Sequence, residues 1–214
     1  MKTLIFDFDG TVVDSFDLGL SIFNDIAKRY NKNDLSDLST EEIRSMHALQ
    51  VVRHFGIPFY QIPFYVYLAK KDFKKNIVTV KAFPQIKSVL EALKDDYQLA
   101  ILSSNSRSNI TKVLKNNDID IFDFIHSGSS IFGKARAIKS AVRKQGLKLS
   151  DIAYIGDEAR DVDAAKSMGI PMIAVCWGYN SKDLLAKHNP DILVDDFSDL
   201  LSAARSVLPH HPSS

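Results

Sequence analysis

The sequence predicts an α/β protein: a parallel sheet with helices on both faces, interrupted once by a helical segment. Three observations lead there. From residue 80 onward, short apolar runs alternate with segments of helical period, and that alternation implies parallel strands joined by crossover helices. Near the start, the apolar run Leu4-Ile5-Phe6 ends abruptly in Asp7-Phe8-Asp9-Gly10-Thr11, a buried strand running into a turn. Between these two regions, residues 15–80 carry only helical patterns.

The elements follow in order. After the strand ending at Phe6, Leu18, Ile22, Ile26 and Tyr30 recur every fourth residue and define one helix stripe. Residues 31–37 form a polar break. Ser39-Thr40-Glu41-Glu42 fits a capping box that starts a second helix. Gly56-Ile57-Pro58 ends that section. Pro63 suits the first turn of the next helix, within an aromatic stretch (Phe59, Tyr60, Phe64, Tyr65, Tyr67) expected to pack inward. The lysines that follow, Lys70, Lys71, Lys74 and Lys75, are expected on a solvated face. Beyond residue 80, helices are expected from Pro84, over 106–114, 134–145, through Met168, near 181–188, and over 197–207. Strands are expected over 97–102, 121–126, 152–155, 171–176 and 192–194. Residues 209–214 are polar, and a frayed tail is expected there.

The composition narrows the function classes. The chain has 214 residues, 45% of them apolar, enough for a substantial core. A net charge of +1 argues against a surface built for nucleic acid. Cys176 is the single cysteine and lies in an apolar run, so it is expected in the core without a redox role. With the first strand beginning at Lys2, no signal peptide is expected, and no apolar run approaches transmembrane length. A cytoplasmic protein, monomeric or homodimeric, is the expectation.

Four stretches at strand ends carry chemistry. Asp7 and Asp9 lie two residues apart at the carboxyl end of a strand, where open α/β sheets bind ligands. Acids this close repel, so they call for a cation or an unequal sharing of protons. The same residues also suit an ordinary Asp-Gly turn. Leu102-Ser103-Ser104-Asn105-Ser106 ends another strand in hydroxyls and an amide. These suit a phosphate, and equally suit helix capping. Gly133-Lys134, in the stretch opening with Phe132, puts a lysine where the helix dipole disfavours one. Gly156-Asp157-Glu158-Ala159-Arg160-Asp161 ends a strand in one acid and adds a second four residues on, near the same face of a first helical turn. Hard oxygen ligands of this kind suit Mg²⁺, and first-turn acids also suit the helix dipole alone.

Together, and in this order, the four stretches resemble the motifs of the haloacid dehalogenase superfamily, in its phosphoglycolate-phosphatase-like branch. The resemblance spans nearly the whole chain, loosely over 15–80. It implies a Rossmann-like core over 1–14 and 81–208 and a small α-helical cap over 15–80. It implies Asp7 as nucleophile and Asp9 as acid/base. Ser103 is implied as phosphoryl ligand, with Ser104, Asn105 and Lys134 beside it. Asp7, Asp9 and Asp157 are implied to hold Mg²⁺, supported by Asp161 and Glu158. An acid at Asp9 is absent from the dehalogenases and the transport ATPases of the superfamily, which favours phosphomonoester hydrolysis. Phosphomutase chemistry stays open, and a non-catalytic scaffold is the remaining alternative. Arg44, His47, Arg53 and His54 are the candidate cap contacts to a small phosphate ester. One departure stands out: Gln85 follows Pro84 where this branch usually has glycine.

Overall fold

The computed structural model describes residues 1–128 and 133–209. Its centre is a six-stranded sheet in the order β5-β4-β1-β6-β7-β8, with every neighbouring pair parallel. The strands are β1 (Thr3–Phe6), β4 (Gln98–Ser103), β5 (Phe124–Ser127), β6 (Ile152–Gly156), β7 (Met172–Val175) and β8 (Ile192–Val194). Five helices follow them: α6 (Arg107–Asn116), α7 (Lys134–Gln145), α8 (Ala159–Ser167), α9 (Lys182–Lys187) and α10 (Leu200–Val207). α5 (Ile86–Lys94) precedes β4.

The alternation of side chains along each strand explains the two layers of helices. Leu4 and Phe6 point to one face, with Leu99, Ile101 and Ile155, under Leu90 of α5, Ile110 of α6 and Ala204 of α10. Ile5 points to the other, with Ala100, Tyr154 and Met172, under Ile138 of α7, Val162 of α8 and Leu185 of α9. β1 lies between β4 and β6 in matched register, Phe6 opposite both Ile101 and Ile155. The residues that follow these strands therefore emerge side by side along one edge.

Residues 15–80 form four helices: α1 (Phe16–Arg29), α2 (Thr40–Arg44), α3 (Ala48–His54) and α4 (Ile62–Asn76). They have apolar clusters of their own, one around Phe16, Ala27, Leu35, Ile43 and Phe55, the other around Ile22, Ile26 and Tyr65. The capping box of α2 is present, with Glu42 N donating to Ser39 Oγ and Ser39 N donating to Glu42 Oε2. A two-stranded antiparallel ribbon, β2 (Val13–Asp14) with β3 (Lys81–Ala82), ties together the points where this segment leaves and rejoins the sheet. Two-residue strands have no readable period, so the sequence did not foretell it.

Four expectations need correction. Of the aromatics in 59–67, only Tyr65 is buried; Phe59, Tyr60, Phe64 and Tyr67 are exposed. Aromatic residues occur on both faces of α4, so composition alone could not show which face turns inward. Tyr30 ends the α1 stripe at the surface. The helix expected from Pro84 starts at Ile86, with Gln85 as its N-cap. Cys176 is only partly buried, and its thiol is pushed up to about 12 by burial and by Asp195. Phe132 and residues 210–214 lie outside the described residues. Among the described residues, no helix is long and apolar enough to cross a membrane.

Candidate active site

Asp7 is the first residue past β1. Its N–H still bonds Ile155 O at 2.8 Å, and its Oδ1 accepts from Phe8 N at 2.8 Å, which fixes the carboxylate against the backbone. Lys134, the first residue of α7, reaches Asp7 Oδ2 at 2.8 Å and Asp161 Oδ1 at 3.0 Å. All three side chains are buried. Burial alone would pull the Lys134 ammonium down, but Asp161 and Asp7 outweigh it and hold the pKa well above the usual lysine value. The face of Tyr154 lies 5.3 Å from Nζ and adds a cation–π contact. An ammonium at the start of a helix is thus held by two carboxylates in a dry site.

Asp157 follows β6 and is fully buried. Thr11 Oγ1 donates to its Oδ1 at 2.5 Å, and Tyr179 N donates to its Oδ2 at 2.7 Å. Two glycines make room for it. A Cβ on Gly10 (φ +82°) or on Gly178 would stand 2.2 Å from Asp157 Oδ2. Burial, then Glu158, Asp7 and Asp161, push the Asp157 pKa well above the usual carboxylate range. Asp161, in the first turn of α8, is raised to about 6, by burial first and then by Asp7, against the pull of Lys134.

Carboxylate oxygens of Asp7, Asp157 and Asp161 lie within 4.8 Å of one another. Three buried acids facing one ammonium leave negative charge uncompensated, and a small divalent cation with a taste for oxygen fits that deficit. The geometry differs from the sequence-derived ligand set in one respect: Asp161 joins Asp7 and Asp157, and the Asp9 side chain stands outside the group. Glu158, the N-cap of α8, pairs with Arg160.

Asp9 faces the second strand-end motif. Its Oδ2 accepts from Asn105 Nδ2 at 3.4 Å, while its Oδ1 is buried with no hydrogen-bond partner among the described residues. Desolvation, reinforced by Asp7, raises it to about 6. Ser103 ends β4 fully buried, and its Oγ accepts from Asn105 N at 3.0 Å. Ser104 beside it is partly exposed. Asn109, which sequence reading passed over, donates to Asn105 Oδ1 at 2.9 Å and so turns the Asn105 amide nitrogen toward Asp9.

The loop after β7 joins this ring to the helical segment. The Tyr179 hydroxyl donates to Ser15 O at 3.0 Å, and its ring stands edge-on to Phe16 at 5.4 Å. Asn180 Oδ1 accepts from Ala159 N at 2.8 Å, and its Nδ2 reaches the carbonyls of Arg44 and Met46, each at 3.3 Å. Ser181 N donates to Arg44 O at 2.9 Å. The Arg44 guanidinium packs 4.6 Å over Phe16. His47 lines a cleft of about 500 Å³ together with Lys134, Glu158, Arg160, Asn180 and His188, and its ring lies 5.1 Å from that of His188. His54 bonds to Asp34 O inside the helical segment, and Arg53 is exposed; neither lines this cleft. Thr11, Tyr179 and Asn180 were missed by sequence reading. The Gly-Thr after the first acid pair was the only signal for any of them.

The comparisons with known proteins agree with this architecture. The family model described as haloacid dehalogenase-like hydrolase matches residues 4–175. A phosphoglycolate phosphatase from Synechococcus elongatus is 31% identical, covering 97% of this chain and 99% of its own. A second, from Pasteurella multocida, is 27% identical, covering 94% and 97%. Among solved structures, a haloacid dehalogenase-like family hydrolase from Streptococcus pneumoniae superposes with a TM-score of 0.72 at 26% identity, covering 95% of this chain and 98% of its own. Strand order, the acid–lysine ring at the strand ends and these matches together make this chain a member of the haloacid dehalogenase-like hydrolase family.

Proposed function

We propose that the protein is a Mg²⁺-dependent phosphatase of small phosphomonoesters, working through an aspartyl-phosphate on Asp7. The observation that carries this reading is the buried Lys134 clamped between Asp7 and Asp161, with Asp157 completing a three-carboxylate group. Asp7 attacks phosphorus and the ester P–O bond breaks. Asp9, whose raised pKa of about 6 keeps part of it protonated near neutrality, gives its proton to the departing alkoxide. Asp9 then takes a proton from the water that attacks the aspartyl-phosphate, releasing phosphate and restoring Asp7. Ser103 and the Asn105 amide bind the phosphoryl oxygens, and Lys134 offsets their charge. Asp7, Asp157 and Asp161 would hold the Mg²⁺, which when bound adds Lewis-acid stabilisation of the transferring group.

Residues 15–80 serve in this reading as a cap that admits substrate and excludes water. His47, on the cleft shared with Lys134, is its best-placed specificity residue. The curated relatives named phosphoglycolate phosphatase favour a small carboxylate-bearing ester such as 2-phosphoglycolate. Hydrolysis of an aryl phosphate and of a panel of phosphorylated metabolites, with Mg²⁺ and with chelator, tests the proposal. Turnover should vanish in chelator and return with Mg²⁺, and Asp157→Asn should raise the Mg²⁺ needed by about tenfold or more. Full activity in excess chelator would overturn the metal assignment; an inert protein on every ester would overturn the phosphatase.

A further inference from the structure

α4 has two unlike faces. Ile62 and Tyr65 turn inward and close the core of the helical segment. The outward face is a stripe. At 3.6 residues per turn, Phe64, Tyr67, Lys71 and Lys74 fall within roughly 80° of one another. The single turn Phe59–Gln61 extends the stripe at its start with Phe59 and Tyr60. These aromatics are among the most exposed in the protein: Phe59 81%, Tyr60 78%, Tyr67 62% and Phe64 47%. Together they leave about 500 Å² of ring surface in solvent, near the top of what a monomer normally shows. Phe64 does not swing freely, since its ring stands edge-on to Tyr30 at 5.5 Å and to Tyr65 at 5.4 Å.

We propose that this stripe is the contact surface of a symmetric homodimer, with α4 of one copy antiparallel to α4 of the other. The stripe is polar along its length, aromatic at the start and cationic at the end. A two-fold axis passing near Tyr67 lays Phe64 of each copy against Lys71 of the other, and Tyr60 against the region of Lys74. Each pairing is a cation over an aromatic face. Lys71 and Lys74 are available for it, because neither makes an ion pair among the described residues, whereas Lys75 is held by Asp72 at 2.9 Å. A parallel pairing would set lysine against lysine. An anionic partner would satisfy the lysines and leave the rings unmatched. The rings and the lysine stems together fall short of the ~800 Å² per partner of a standard interface, which places the dimer in the small, weaker class. None of the residues of the strand-end ring lies on α4, so the contact is independent of the hydrolase chemistry.

Sedimentation equilibrium of the full chain, with two exposed-surface variants, tests this. Wild type should be dimeric. Phe64→Lys/Tyr67→Lys sets cations against cations, and Lys71→Glu/Lys74→Glu sets rings against acids. Each alone should sediment as a monomer, with a dissociation constant raised at least about tenfold. Mixed one to one, the two variants should form a heterodimer, because Lys at position 64 of one then meets Glu at position 71 of the other. Native mass spectrometry of differently tagged chains reads that species directly. Melting temperatures of both variants close to wild type establish that they are folded. A wild type that is monomeric at about 100 μM overturns the proposal. So do variants that dimerise like wild type, or a monomeric wild type that binds anionic lipid vesicles.

Discussion

The ring at the strand ends and the boundary with the helical segment are held by different forces. Asp7, Ser103 and Asp157 each close or follow a strand buried on both faces, and none is more than 4% exposed. Their backbones are set by sheet registers, so no side chain has to find its place alone. Residues 44–46 are held at the boundary by the loop after β7, whose polar groups bond their carbonyls and a hydroxyl, while the far end of the segment packs Ile77 and Val80 into the sheet core. α3, next to that contact, has no buried residue at all. The groups of the strand-end ring thus stand on the rigid layer, while residues 44–47 stand where a few hydrogen bonds hold them.

The sharpest way to break this comparison is at Asp7. Asp7→Asn keeps the backbone bonds and nearly the shape but replaces the proposed nucleophile with an amide, so kcat should fall by at least about 10⁴-fold. The melting temperature in chelator should not fall, because one acid leaves a site already over-rich in them. Steady-state rates within tenfold of wild type would remove the covalent route through Asp7.

The next effect is on stability and pH. Asp9 titrates near 6 in the folded chain, above the ordinary 3.8. Between those values the folded state holds a proton that the unfolded state has released, so stability falls as pH rises from about 4 to about 6. The loss from this group is on the order of 3 kcal/mol. Asp9→Asn, which cannot ionise, should therefore be the more stable protein in chelator above pH 6, and the difference should shrink away below pH 4. If the three-carboxylate group holds Mg²⁺ as proposed, saturating Mg²⁺ at pH 7.5 should raise the wild-type melting temperature, because an ion bound by the folded ring alone stabilises it. Denaturation curves at several pH values check both statements. A wild type that outlasts Asp9→Asn at pH 7.5 in chelator would show that Asp9 is held by favourable contacts.

The same contrast governs what could be read from the sequence. Asp7, Ser103 and Asp157 were legible because an apolar run ending in a polar residue marks a strand end, and parallel strands end together. Lys134 stood out through the family resemblance, since a lysine at a helix start is weak evidence by itself. Asp161 was seen only as a helper, since helix spacing gives a face but not the distance to Asp7. Tyr179 and Asn180 left no pattern. Their partners lie up to 164 positions away, and each bonds through a group that composition does not display: a backbone N–H, or an amide with both ends in use. The exposed aromatics of α4 misled for a related reason. Hydrophobic period identifies a stripe only when the other face is polar.

The smallest expected effect separates the two roles of Asn180. Its oxygen accepts from Ala159 N and so caps the start of α8, the helix that carries Asp161; its nitrogen holds the carbonyls of Arg44 and Met46. Asn180→Ala removes both, leaving a buried N–H unpaired and the boundary loosened. Asn180→Asp keeps an acceptor for Ala159 N but has no donor for the two carbonyls. Both variants should therefore show KM raised by roughly fivefold, the equivalent of about 1 kcal/mol for a lost hydrogen bond, with kcat changed far less. Both should be cut faster by protease within residues 40–60. Melting temperature should fall in both, in Asn180→Ala because the start of α8 is left without its cap, and in Asn180→Asp because a buried carboxylate oxygen then faces the two carbonyls. If Asn180→Asp matches wild type in KM and in proteolysis, the amide nitrogen does not hold the helical segment to the sheet, and the boundary is kept by Ser181 and the Tyr179–Phe16 contact instead.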